Sequence, residues 1–107
     1  MSEPRLVFRH VDDVPQQLVR SQRHGDRQVG VHLKFMEWSP NRTFIVTHYD
    51  PGLVLSEHWH KSDHIIYILK GSVTIGDTEC TPGMMVLLEH GAVFGPLIAG
   101  PEGTDLL

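Results

Sequence analysis

Apolar residues along this chain come in short runs, broken at close intervals by turn-forming residues. The runs 29–38 (VGVHLKFMEW), 43–49 (TFIVTHY), 53–60 (LVLSEHWH), 64–70 (HIIYILK), 72–75 (SVTI) and 84–88 (MMVLL) are rich in β-branched and aromatic residues and predict strands. Between them stand Ser39-Pro40-Asn41, Asp50-Pro51-Gly52, Gly71, Gly76-Asp77, Pro82-Gly83, His90-Gly91, Gly95-Pro96 and Gly100-Pro101. That rhythm predicts an all-β sandwich or barrel. One segment is different. In 13–20 (DVPQQLVR), Asp13 can cap and Pro15 can sit in a first turn, which predicts one short N-terminal helix docking Leu18 and Val19 on the sheet. The stretch VRSQRHGDRQ that follows reads as an exposed loop.

Strict alternation along 53–60 places Val54, Ser56, His58 and His60 on one face and Leu53, Leu55, Glu57 and Trp59 on the other. Large apolar residues on both faces require cover on both sides. The face with Leu53, Leu55 and Trp59 therefore predicts contact with another layer or a second copy of the chain, hence a homodimer. The other face becomes the interior. After Lys61-Ser62-Asp63 the next strand starts at His64 and returns antiparallel, so one hairpin brings His58, His60 and His64 together. Three converging imidazoles read as a metal site.

The same residues carry a family resemblance. Gly52, five residues, His58-Trp59-His60, three residues, His64, six residues and Gly71 is similar to the first motif of the cupin superfamily. Gly76, five residues, Pro82-Gly83 and MMVLLEHGAVFG partly resembles the second. The resemblance covers residues 43–95. It implies a small jelly-roll barrel of the double-stranded β-helix kind, one domain over 1–107 with a strand or loop extension at 1–28 and the barrel at 29–107. His64 stands where cupins usually carry a glutamate ligand, and Phe94 where the second motif usually supplies a histidine. The implied ligand set is thus His58, His60 and His64, completed by water, His48 or His90. Glu89 replaces a common proline, a change with no physical account.

Three neutral imidazoles leave a divalent ion at about +2, whereas the usual glutamate would remove one unit of charge. Such a centre favours an anionic or chelating ligand, and three protein ligands leave an octahedral ion room for a bidentate substrate as well as dioxygen or water. Three-histidine cupins that oxidise thiols or diketones have such centres, so the resemblance implies Fe(II) first, with Zn, Mn, Ni or Co as other candidates, and a dioxygenase-like oxidation. Other metal cupins are isomerases, decarboxylases, lyases or simple binders. A non-enzymatic module that senses a ligand or metal is the alternative, and a structural dimer with a vestigial pocket is the third reading.

The remaining candidates have plainer alternatives. His48 and Tyr67 are the two catalytic candidates: His48 shares a face with Phe44 and Val46, where a hydrogen-bonded histidine in a mostly apolar strand is the plainer reading, and Tyr67 follows His64 by three residues, which alternation puts on the opposite face. His32 has the same ambiguity as His48, while His10 and His24 sit in polar, exposed segments and Glu57 points outward to a rim or interface. Met36, Met84, Met85, Phe35, Phe44 and Phe94 read as core packing, with Phe94 also able to narrow the pocket.

Composition excludes several classes. The 107 residues, 40% hydrophobic, make one domain with no room for a separate cofactor domain. A net charge of −4 with nine scattered basic residues argues against a nucleic-acid partner and for a small molecule or another protein chain. The lone Cys80 excludes an internal disulfide and a thiolate-rich zinc site, reads as a small apolar filler, and fits a cytoplasmic setting. No apolar run is long enough for a signal peptide or a membrane span. The ending GPEGTDLL predicts that the closing strand of the barrel is short or absent.

Overall fold

The computed structural model describes residues 4–107; the first three residues of the N-terminal extension lie outside the described residues. Eight strands follow a single 3-10 turn at Val11–Asp13, in which the His10 ring accepts the Asp12 N–H. They are β1 (Gln17–His24), β2 (Arg27–Ser39), β3 (Arg42–Tyr49), β4 (Val54–Leu55), β5 (His64–Ile75), β6 (Thr78–Cys80), β7 (Met85–Leu88) and β8 (Leu97–Leu106). All pairings are antiparallel, in the order β1-β2-β3-β8-β5-β6, with β4 also on β8 and β7 also on β5. The all-β jelly-roll expectation holds, but hydrogen bonds do not close the sheet into a barrel, since β1 and β6 stand at its two ends. Openness shows in the surface: 7584 Å² is exposed, against roughly 6,000 Å² for a compact chain of this mass. Among the described residues no helix is long and apolar enough to cross a membrane.

Two expectations are overturned at the N-terminal side. Residues 13–20 are not a helix; from Gln17 they form β1, whose Arg20, Ser21 and Gln22 face Val31, Gly30 and Val29 of β2. The basic stretch expected as a loop is the β1–β2 hairpin, turned through Gly25 at φ 66°. A two-residue Gly-Asp turn suits the twist of paired strands, and pairing with β2 overrides the weak local capping signal.

The larger correction is β8. Instead of being short or absent, it is ten residues long and lies between β3 and β5. Leu97, Ala99 and Leu106 from β8 join Val29, Val31, Tyr49, Leu53, Ile68 and Val73 in the core. Its seat depends on glycine. Gly71 and Gly103, both at positive φ, meet across the β5–β8 contact: a side chain at Gly71 would overlap the Gly103 carbonyl, and one at Gly103 would come within 2.7 Å of the Tyr49 carbonyl. Gly71 therefore does not end a strand. It bulges β5, which runs on through Ile75 as one element.

The segment 53–60 is also different from its expected form. Only Val54 and Leu55 are strand, and they pair with β8 rather than with β5, so no hairpin joins His60 to His64. Leu53 and Leu55 are core residues, while Val54 and Trp59 are exposed. Of the two covers expected for the face of Leu53, Leu55 and Trp59, the chain's own core supplies the one over the two leucines, and Trp59 stays exposed. Other exposed apolar residues of this half are the cross-strand pairs Ile65 with Leu87 and Tyr67 with Met85 on β5 and β7. Met85 and Phe44 are half-exposed rather than core, whereas Phe94 and Cys80 are buried.

The Gly71–Gly103 contact yields a paired test. Gly71→Ala should lose about 3 kcal/mol or more in chemical denaturation, because both φ and the carbonyl opposite oppose a methyl group. Gly25→Ala, also at positive φ but facing open space, should lose only about 1 to 2 kcal/mol. Equal losses would show that the close approach of β5 to β8 does not matter.

Candidate metal centre

The chain brings His58, His60 and His64 together by a route that alternation alone misses. After Leu55 both Ser56 and Glu57 are exposed, which shifts the inward phase by one residue. His58 is then pinned by a two-way backbone bridge: its N–H donates to Phe94 O at 2.9 Å and its carbonyl accepts the Phe94 N–H at 2.7 Å. Gly95 permits this, because a side chain there would meet Glu57 Cα at 3.2 Å and the Ser56 carbonyl at 3.4 Å. His60 accepts the Gly91 N–H through its carbonyl at 3.0 Å, and the Asp63 carboxylate takes the His90 N–H at 2.8 Å. His64 opens β5 opposite Leu88 of β7.

The rings gather closely. His58 and His60 have centroids 4.9 Å apart with perpendicular planes; His60 and His64 stack at 4.3 Å with planes 18° apart. Phe94 presents an edge contact to His58 at 5.2 Å. The His58 Nδ1–H donates to the Ser56 carbonyl at 2.8 Å, which fixes its tautomer and leaves Nε2 with a free lone pair. His64 Nε2 lies 3.0 Å from Ser62 Oγ, leaving Nδ1 available. His60 titrates below its ordinary value, first because burial disfavours the charged ring and then because His64 and His58 would repel it. Neutral imidazoles are what a borderline divalent cation needs, so the donor chemistry fits a metal ion. The arrangement as it stands does not: among the described residues no group of three or more such side chains is placed to hold one. The stack is the reason. Imidazole lone pairs lie in the ring plane, so parallel rings direct them side by side, and His60 must turn out of the stack before three nitrogens converge.

All three histidines line a cavity of about 990 Å³. Its walls include Leu33, Ile45, Leu55, Ile66, Phe94 and Leu106, so Phe94 is both a core residue and part of the cavity wall. Thr47 and Tyr49, both buried, add polar groups from β3. Register sets part of the wall: Leu106 of β8 faces Thr47 of β3 and Ile68 of β5.

Other sequence candidates lie elsewhere. His48 is on the opposite face of β3, because Thr47 and Tyr49 take the inward positions. It joins His32 in a separate network, with His48 Nδ1 at 2.6 Å from Asp105 Oδ1, His48 Nε2 at 3.3 Å from Asp50 Oδ1 and His32 Nε2 at 3.1 Å from Asp50. Burial pushes the Asp50 carboxyl up, but hydrogen bonds from His32 and the Gly30 N–H and the charges of His32 and His48 bring it below its ordinary value. Tyr67 is half-exposed on the outer face and His90 is exposed, so neither lines the cavity. The sequence reading also missed Thr47, Tyr49 and the basic residues Arg20 and Arg42 on the cavity wall. Only strand register, which unites Arg20, Val31 and Tyr49 in one cross-strand row, reveals them.

No family model matches the chain, and no curated protein matches it. Solved structures do. The polyketide cyclase RemF from Streptomyces resistomycificus is 21% identical with a TM-score of 0.74, over 94% of this chain and 75% of its own. A predicted oxalate decarboxylase from Thermotoga maritima is 19% identical with a TM-score of 0.65, over 91% of this chain and 90% of its own. An acetylacetone dioxygenase from Acinetobacter johnsonii is 11% identical with a TM-score of 0.65, over 99% of this chain and 72% of its own.

The lowered His60 value sets a pH dependence for the metal-free protein. The unfolded chain binds the proton more readily, so stability falls as pH drops through 6.5, the ordinary value, and levels off below the folded value. Ring-proton NMR should place the His60 midpoint under 6.5, and His60→Gln should flatten the acid loss in thermal melts. A midpoint at or above the ordinary value would contradict the burial argument.

Proposed function

With the cupin fold of this chain as the premise, we propose that His58, His60 and His64 hold one divalent metal ion and that the chain is a metal-dependent enzyme for a small anionic or chelating molecule. The observation that carries the reading is the clustering of three imidazoles, at 4.3 and 4.9 Å between centroids, on the wall of a cavity large enough for an organic ligand. A bound ion would supply Lewis acidity, holding an anionic oxygen and lowering the pKa of a coordinated water. The chain's own residues do the rest. Ser56 and Ser62 orient His58 and His64, Phe94 excludes water beside His58, and Tyr49 and Thr47 offer hydrogen bonds to a ligand in the cavity.

Fe(II) and a dioxygenase-like oxidation are the specific form of the proposal, with Zn, Mn, Ni or Co serving the same ligand set in an isomerase or lyase. The solved neighbours supply the context: one is an acetylacetone dioxygenase and one a predicted oxalate decarboxylase, names that both specify small oxygen-rich molecules. A second reading, a module that binds a ligand or metal without turnover, is favoured by one observation. Among the described residues Asp63 is the single acidic side chain on the cavity wall, and it is engaged by the His90 N–H rather than poised as a base.

Elemental analysis of protein purified without an affinity metal column tests the proposal. The expected content is about one divalent ion per chain, falling below about 0.1 in a His58→Ala, His64→Ala double variant that retains its circular dichroism spectrum. Equal metal content in both proteins would overturn the site. Metal at full occupancy without turnover on any β-diketone or dicarboxylate would favour the binding module.

A further inference from the structure

Strand register puts an unspent positive charge on the cavity wall, at the exposed strand β1. Arg20 pairs with Val31, Val31 with Tyr49, and Tyr49 with Thr104. Directly paired residues point to the same side of a sheet. Val31, Tyr49 and Thr104 are all buried on the inner side, so Arg20 projects inward as well, beside the bulge at Val19. Arg5 and Arg9 are taken by Glu37, whereas Arg20 and Arg42, which also lines the cavity, enter no ion pair among the described residues. The one acidic side chain on the wall among the described residues, Asp63, accepts a hydrogen bond from the His90 N–H.

We propose that the cavity binds a carboxylate carried on an apolar body, with Arg20 and the Tyr49 hydroxyl gripping the carboxylate and the body lying against Leu33, Ile45 and Leu106. This names the ligand class of the site and rests on the reading of the cavity as a substrate pocket, but it uses none of the three histidines. Arg20 and Tyr49 stand two strands apart on one row, about 10 Å between backbones. Both side chains are long enough to meet an anion held between them, one oxygen to each. The phenol is suited to donate, since burial pushes its pKa up to about 12 and keeps it protonated at neutral pH. Charge-assisted hydrogen bonds from a guanidinium and a buried hydroxyl favour a carboxylate over a neutral group of the same shape. The apolar walls then select for hydrocarbon rather than sugar or phosphate.

Calorimetric titration of the chelator-treated, metal-free chain with octanoate and with 1-octanol tests this. Octanoate should bind about tenfold more tightly than 1-octanol. Arg20→Met, on an exposed strand at the end of the sheet, should remove that preference while leaving 1-octanol binding unchanged, and Tyr49→Phe should weaken octanoate alone. Equal affinity for the two probes, or an unchanged preference in Arg20→Met, would overturn the proposal. Metal content before chelation separates the two readings. A chain without metal that still prefers octanoate upholds the carboxylate site and refutes the metal site; a metal-bearing chain with no preference does the reverse.

Discussion

The insertion of β8 between β3 and β5 is the constraint on which the rest of the structure depends. Without β8 the β1-β2-β3 half would have no hydrogen-bonded connection to β5, since β3 and β5 each pair with β8 and not with one another. The seat is narrow, because the backbones of Gly71 and Gly103 approach to a distance that no other residue allows. That approach sets a register in which Leu106 lies between Thr47 and Ile68. In that register Leu106 and Thr47 both come to the cavity wall, beside the first residues of β3 and of β5. A packing requirement at two glycines is thus transmitted to the wall of the cavity.

The histidine cluster depends on a second local constraint, the one-residue phase shift between Leu55 and His58. Leu53 and Leu55 anchor the segment in the core, and the His58–Phe94 bridge re-anchors it after two exposed residues. Because of that shift the leucines and the histidines both face inward. The price is a crowded site in which two imidazoles stack. Ring stacking contributes on the order of 1 kcal/mol, whereas structural zinc sites gain roughly ten times as much on binding metal. The balance therefore falls on the side of rotating His60 once an ion is present.

Much of this was legible in the chain. Short β-branched runs between Gly and Pro turns specify an all-β architecture, and the motif around His58, His60 and His64 points to three histidines that the fold brings together on one cavity wall. β8 was not legible, because LIAGPEGTDL carries two glycines and a proline that locally oppose a strand and are tolerated only where a bulged strand meets another backbone closely. β1 was hidden by its charges, which suit an outer strand with one free edge as well as they suit a loop. His48 was left open between a metal ligand and a hydrogen-bonded histidine for a simpler reason: face assignment needs an interior reference, and Tyr49 and Thr47 supply it only once β3 is paired with β8. Arg20 and Tyr49 lie 29 positions apart in sequence, so no local pattern could join them.

The central claim is that one ion joins His58, His60 and His64, while the His32–His48 network takes no part. Imidazole nitrogen NMR during a zinc titration tests it most directly. The resonances of His58, His60 and His64 should shift together and saturate at about one zinc per chain, with those of His32 and His48 unmoved. Shifts confined to His32 and His48, or the absence of a stoichiometric end point, would contradict the account.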